Sequence, residues 1–153
     1  MAAQLWLLRH GEAEPHDVTA DDADRPLTPR GEDQSRAAGR ALAALELAFH
    51  AVYSSPKVRA LQTAQLACEA LDAAPVAYEP LREGFDADDA RELLLSGSDQ
   101  RILVVGHNPD FEQVVGDLCG ARIDLKKGGI AAVRDGQLIA LLRPRELDRI
   151  RPA

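Results

Sequence analysis

The chain has 153 residues, enough for a single domain with an ordinary core and no need of disulfide or metal staples. Apolar residues make up 46 % and charged residues 28 %, a balance that excludes wholesale disorder, and the net charge of −7 argues against nucleic-acid or anionic-membrane partners. Aromatics are few, at 4 %, and alanine is abundant, so helices are expected to pack closely through small residues.

In chain order, Leu5, Trp6, Leu7 and Leu8 form a short apolar run, which suits a strand buried on both faces of a parallel sheet. Arg9, His10 and Gly11 follow at once. A cation and an imidazole at the C-terminal end of a buried strand sit where open α/β sheets bind ligands, or they are simply polar residues closing the strand. Gly11 permits a sharp turn or the close approach of a ligand. Residues 11–27 form a long connection carrying Glu12, Glu14, Asp17, Asp21, Asp22 and Asp24. Their spacing lacks the ligand ladder of a calcium loop, so a solvated acidic loop is expected. Arg25 is the lone arginine of that segment.

Thr28-Pro29 predicts a helix start, with Ala38, Ala41, Leu42 and Leu45 on its buried face. A second strand is predicted over 51–54, leading into a second cap-plus-proline start at Ser55-Pro56. Val58, Leu61, Ala64, Cys68 and Leu71 mark that helix's buried face, with Arg59 in its first turn and off the face. A third strand is predicted over 75–78, followed by Leu81-Arg82-Glu83-Gly84 and a short helix over 88–95. The clearest buried strand is 101–105, containing Ile102-Leu103-Val104-Val105. Gly106-His107 follows it, and Asn108-Pro109 opens a third such helix, with Phe111, Val114, Val115 and Leu118 as its stripe and Gly120 as its end. Lys126-Lys127-Gly128-Gly129 precede two strands, 130–133 and 138–142, joined through Asp135-Gly136 as a hairpin. From Arg145 onward the chain reads as a polar tail. Strands alternating with helices predict an α/β fold, a mostly parallel central sheet with an antiparallel edge and helices on both faces.

Cys68 and Cys119 lie far apart in apolar patterns and read as small core residues. No run approaches membrane-spanning length and no basic segment precedes an apolar one at the N-terminus, so a cytoplasmic location is expected.

Arg9-His10, Arg59 and His107 each follow a predicted strand, as does Glu83 a little further on. Parallel strands would bring them to one rim, with the helix starts at Ser55-Pro56 and Asn108-Pro109 aimed there too. Two histidines, two arginines and two helix N-termini describe a pocket for a dianionic phosphate. A metal site on His10 and His107 is the competing arrangement, disfavoured by the adjacent arginines. His16 and His50 read as core histidines satisfied by themselves.

Leu8-Arg9-His10-Gly11 resembles the signature of the histidine phosphatase superfamily. Ser54-Ser55-Pro56 with Arg59, Gln62-Thr63-Ala64, and Gly106-His107-Asn108-Pro109 resemble its later blocks in the same order. The short length and Arg25-Pro26-Leu27-Thr28 are similar to the small bacterial phosphohistidine phosphatases. The resemblance implies a three-layer phosphoglycerate mutase-like fold and a metal-independent phosphatase with no cofactor. In it His10 would be the nucleophile, forming a phosphohistidine intermediate, while Arg9, Arg59 and His107 hold the equatorial oxygens. Arg25 is either a further donor or a surface arginine. Asn108 is a candidate substrate contact; it stands where the acid-phosphatase branches carry an aspartate. Asp110 reads as a first-turn helix residue. Leu81-Arg82-Glu83 is similar to the segment that supplies the general acid in mutase-like branches, so Glu83 is that acid or a rim salt bridge.

A short chain leaves little room for insertions that cap small-molecule sites, which favours phosphohistidine on a partner protein as substrate. A small phosphoester or short polyphosphate is the alternative, with Lys126 and Lys127 extending the anion track or serving as surface charge. A phosphate-binding module without turnover is the non-enzymatic alternative, and a monomer is expected.

Overall fold

In a computed structural model, which describes residues 2–15, 21–96 and 99–153, the chain forms a six-stranded sheet with helices on both faces. In chain order the elements are β1 (Gln4–Arg9), α1 (Pro29–Ala44), β2 (Ala51–Ser54), α2 (Val58–Cys68), β3 (Pro75–Ala77), α3 (Ala87–Ser96), β4 (Arg101–Gly106), α4 (Asp110–Cys119), β5 (Ile130–Arg134), β6 (Gln137–Leu142) and α5 (Pro144–Leu147). The sheet order is β3-β2-β4-β1-β5-β6. The first four of these strands run parallel, and β5 and β6 form the antiparallel edge. The expected α/β architecture is therefore the observed one.

Period-two alternation divides the core between the two faces. Trp6, Leu8, Leu103 and Val105 point to the side covered by α1, α2 and α5, where they meet Ala38, Ala60, Ala64 and Leu147. Leu5, Leu7, Ile102 and Val104 point to the side of α3 and α4, against Leu93, Phe111, Val114 and Val115. Alanine richness has the expected consequence: α1 and α2 approach so closely that a Cβ on Gly39 would lie 2.1 Å from Ala67 O.

Several local expectations are corrected. Residues beyond Arg145 are not a simple polar tail: Pro144, at the first helical position, opens α5, and Leu147 is fully buried. Two apolar residues among charges, Leu147 and Ile150, are too few to show a period. Leu45 is 44 % exposed because α1 ends at Ala44, and the chain turns through Glu46 at φ 60°. On α2 the buried set is Arg59, Ala60, Thr63, Ala64, Ala67 and Cys68, so Arg59 belongs to the buried side, and Val58 and Leu61 are only half-buried. His50 is exposed, its Nδ1 accepting from Arg101 N at 3.0 Å, and is not a core histidine. His16 and Asp17 lie outside the described residues.

Candidate active site

Strand register assembles the site. Arg9 at the end of β1 pairs with Gly106 at the end of β4, so His10 and His107 emerge side by side with ring centroids 5.2 Å apart. Ser54 pairs with Val105, and Ser55 N donates to Val105 O at 2.9 Å, which brings the start of α2 and its Arg59 to the same C-terminal rim. The loop before β5 closes over the backbone: Gly128 N donates to the Arg9 and His10 carbonyls and Arg9 N donates to Gly129 O, each at 3.0 Å.

One cavity of about 430 Å³ is lined by Arg9, His10, Arg25, Arg59, Glu83, Asn108 and His107, together with Lys57, Arg82, Asp110 and Lys127. The structure thus brings every candidate residue to one place except Lys126, which pairs with Asp124 at 2.9 Å on the adjacent surface. Asp110 opens α4, as expected of it, and its carboxylate accepts from Gly84 N at 2.9 Å at the rim.

The His10 ring is fixed by its neighbour's carbonyl. Its Nδ1 lies 2.7 Å from Gly11 O, which can only accept, so Nδ1 carries the proton and Nε2 the lone pair. His107 Nε2 lies 2.8 Å from Ser55 Oγ. Arg9 Nη1 and Asn108 Nδ2 both donate to Leu125 O, at 2.9 and 3.0 Å, and Leu125 N donates to Glu112 at 2.8 Å. Arg59 Nη1 donates to Asp22 O at 2.8 Å, and its Nη2 pairs with Asp22 Oδ2 at 3.3 Å. Among the described residues, the buried side-chain polar atoms with no hydrogen-bond partner are Arg9 Nε, Arg59 Nε, His107 Nδ1 and Asn108 Oδ1. All four belong to residues that line this cavity, and a buried polar atom without a partner calls for a functional explanation.

Electrostatics keep both imidazoles neutral. Burial pushes the His10 pKa down to about 3, aided by Arg59, Arg9 and Lys127, although the bond to Gly11 O favours the proton. Burial likewise takes His107 to about 3, with His10, Arg59 and Lys57 acting in the same direction. Burial raises the Asp22 carboxyl, but Arg59, Lys57 and Arg25 outweigh it and hold the group well below the usual carboxylate range. A pocket walled by these cations and neutral imidazoles suits a multiply charged oxyanion. Among the described residues no group of three His, Cys, Asp or Glu side chains could hold a metal ion.

Two expected capping roles are corrected. Ser55 does not cap α2, which starts at Val58 without a side-chain cap; its hydroxyl accepts from Lys57 N at 3.2 Å and meets His107. Asn108 does not cap α4 either, since the helix starts at Asp110 with Pro109 at the cap position, and the Asn108 amide reaches Leu125 O. Sequence reasoning also missed Asp22, read as one solvated acid among several. It bridges Arg25 at 2.9 Å with Lys57 and Arg59 at 3.3 Å, and its one sequence signal is its place three residues before Arg25. Thr63 is a further miss in role: its Oγ1 accepts from Gly11 N at 3.1 Å and donates to Arg59 O at 2.8 Å.

The family model of the histidine phosphatase superfamily (branch 1) matches residues 5–93. An uncharacterised protein of Picosynechococcus sp. is 35 % identical over 141 residues, 87 % of this chain and 86 % of that one. Phosphohistidine phosphatase SixA of Escherichia coli K12 is 30 % identical over 122 residues, 76 % of this chain and 74 % of that one. The solved structure of protein histidine phosphatase SixA complexed with tungstate superimposes with a TM-score of 0.82 at 25 % identity, covering 94 % of this chain and 99 % of that one. Sequence and backbone agree over most of the length, and the chain belongs to the histidine phosphatase superfamily, branch 1.

Proposed function

We propose that this chain is a metal-independent phosphatase that uses His10 as nucleophile and removes phosphate from phosphohistidine on a partner protein. The observation that carries the reading is the His10 ring: buried, neutral, and with Nδ1–H held on Gly11 O so that Nε2 keeps its lone pair. Similarity to SixA, a phosphohistidine phosphatase, supports the choice of substrate.

In the first step the Nε2 lone pair forms a bond to phosphorus, and the bond from phosphorus to the substrate's imidazole nitrogen breaks, its electron pair leaving with that nitrogen. Arg9, Arg59 and His107 hold the three equatorial oxygens as charge spreads over them. Glu83 supplies the proton when the leaving group is an alkoxide; an imidazole leaving group needs it less. Water then adds to phosphorus, the bond to His10 breaks, the electron pair returns to Nε2, and inorganic phosphate departs with the proton shared between it and solvent. Arg25 and Asn108 line the cavity and also brace it, Arg25 through Asp22 and Asn108 through the Leu125 carbonyl that also holds Arg9. The cations around the cavity disfavour a divalent metal there.

Hydrolysis of p-nitrophenyl phosphate with excess chelator tests the chemistry. Wild type stays active, and His10→Ala loses on the order of 10⁴-fold in kcat/KM or more. Equal activity in the two proteins removes His10 as nucleophile, and loss of wild-type activity to chelator removes the metal-free mechanism. The substrate assignment requires kcat/KM on a phosphohistidine protein to exceed that on phosphosugars and polyphosphate.

A further inference from the structure

Beside the catalytic cavity runs a second one of about 500 Å³, and the two share Arg9 and Lys127 on their common wall. Its cations come from separate segments: Arg30 from the first turn of α1, Lys126 and Lys127 from the loop before β5, Arg143 and Arg145 from the chain around the start of α5. Arg30 meets Glu12 at 3.7 Å, Lys126 meets Asp124 at 2.9 Å, and Glu146 serves Arg143 at 2.9 Å and Arg145 at 3.6 Å. Lys127 takes part in none of these pairs. The cleft therefore keeps an excess of positive charge on a chain whose net charge is −7.

We infer that this cleft docks an acidic segment of the partner protein that carries the phosphohistidine. The inference rests on the substrate reading given above and adds to it the chemistry of the partner's surface. A compact anion is held by converging, desolvated donors, as beside Arg59, whose side chain is 7 % exposed. The cleft is built otherwise: Arg30 is 76 % exposed, Arg145 71 %, Lys126 56 % and Arg143 52 %. Long, hydrated cations spread along an open groove attract an extended acidic surface through its field and speed encounter, and they discriminate partners by charge sign. An acidic exterior elsewhere on the molecule repels the same surface, which directs it to this side.

The test uses the triple variant Arg30→Ala/Lys126→Ala/Arg145→Ala, which spares Arg9 and Lys127 at the catalytic cavity and Arg143 at the start of α5. Probes are a short Glu-rich peptide, its Gln-rich counterpart, tripolyphosphate, and phosphohistidine peptides with Glu-rich or Gln-rich flanks. Wild type binds the unphosphorylated Glu-rich peptide more tightly than the Gln-rich one, with affinity falling as salt rises. The variant binds it about tenfold more weakly and shows a similar rise in KM on the Glu-flanked phosphohistidine peptide, while turnover of p-nitrophenyl phosphate is unchanged. Equal affinity of the two proteins for the Glu-rich peptide overturns the proposal. So does a loss of affinity confined to tripolyphosphate, which would make the cleft a small-anion site. If peptide binding depends on the three cations but neither phosphohistidine peptide is hydrolysed, the docking surface stands and the substrate reading fails.

Discussion

Arg59 shows how much can rest on one side chain's geometry. Its Nη1 donates to Asp22 O and its Nη2 pairs with the Asp22 carboxylate, leaving Nε without a partner. Its own carbonyl accepts from Thr63 Oγ1, which in turn accepts from Gly11 N, so the arginine and the turn after His10 are tied through one hydroxyl. A planar guanidinium can face Asp22 on one edge and an oxyanion on another, whereas an ammonium is a single point of charge on a flexible stem. Arg59→Lys keeps the charge and loses the second edge. Its kcat on p-nitrophenyl phosphate is expected to fall by about 10²-fold, the scale of losing one well-placed transition-state donor. A lysine variant with wild-type kcat would show that charge alone suffices at this position.

At the scale of elements, the site depends on how closely α1 approaches the turn after β1. A Cβ on Gly31 would lie 2.0 Å from Glu12 O, and one on Gly11 would lie 2.6 Å from Gly31 O, so the two glycines allow backbone to meet backbone. Gly11 thus serves helix packing. Gly31→Ala must push the start of α1 away from the segment that follows His10. The expected cost is about 2 kcal/mol or more of stability, seen as a lowered denaturation midpoint, together with a lower kcat/KM. An alanine variant that matches wild type in both would show that the segment yields freely. The elements that could be read from sequence were those with a strong period and a polar stop: β1 and β4 end on Arg9-His10 and Gly106-His107, and parallel pairing then fixes the rim. What resisted reading was the use of each polar group. Ser55 and Asn108 look like caps because serine and asparagine before proline usually are, but tertiary partners, His107 and the Leu125 carbonyl, claimed them. Asp22 was hidden for a similar reason, since nothing local distinguishes a carboxylate that bridges three cations from its solvated neighbours.

For the molecule as a whole, the same pocket makes stability depend on pH. In the folded chain His10 and His107 remain neutral down to about pH 3, while in the unfolded chain they take up protons near the ordinary histidine value. Between about pH 6.5 and 3 the unfolded state therefore binds more protons, and stability rises with pH and falls with acid. Asp22 has the same sign lower on the scale: its carboxylate is held charged in the fold, so acid protonates the unfolded chain first. Relief of self-repulsion acts the other way, because protonation reduces the net charge of −7. A variant separates the two effects. Wild type should lose stability from pH 6.5 downward, at up to about 1.4 kcal/mol per pH unit from each histidine. His107→Asn removes one of these contributions and leaves the rest of the charge distribution in place, so its stability should fall less steeply between pH 6 and 4.5. Urea denaturation of both proteins across that range gives the slopes directly, and parallel slopes would mean that His107 is not held neutral by the fold.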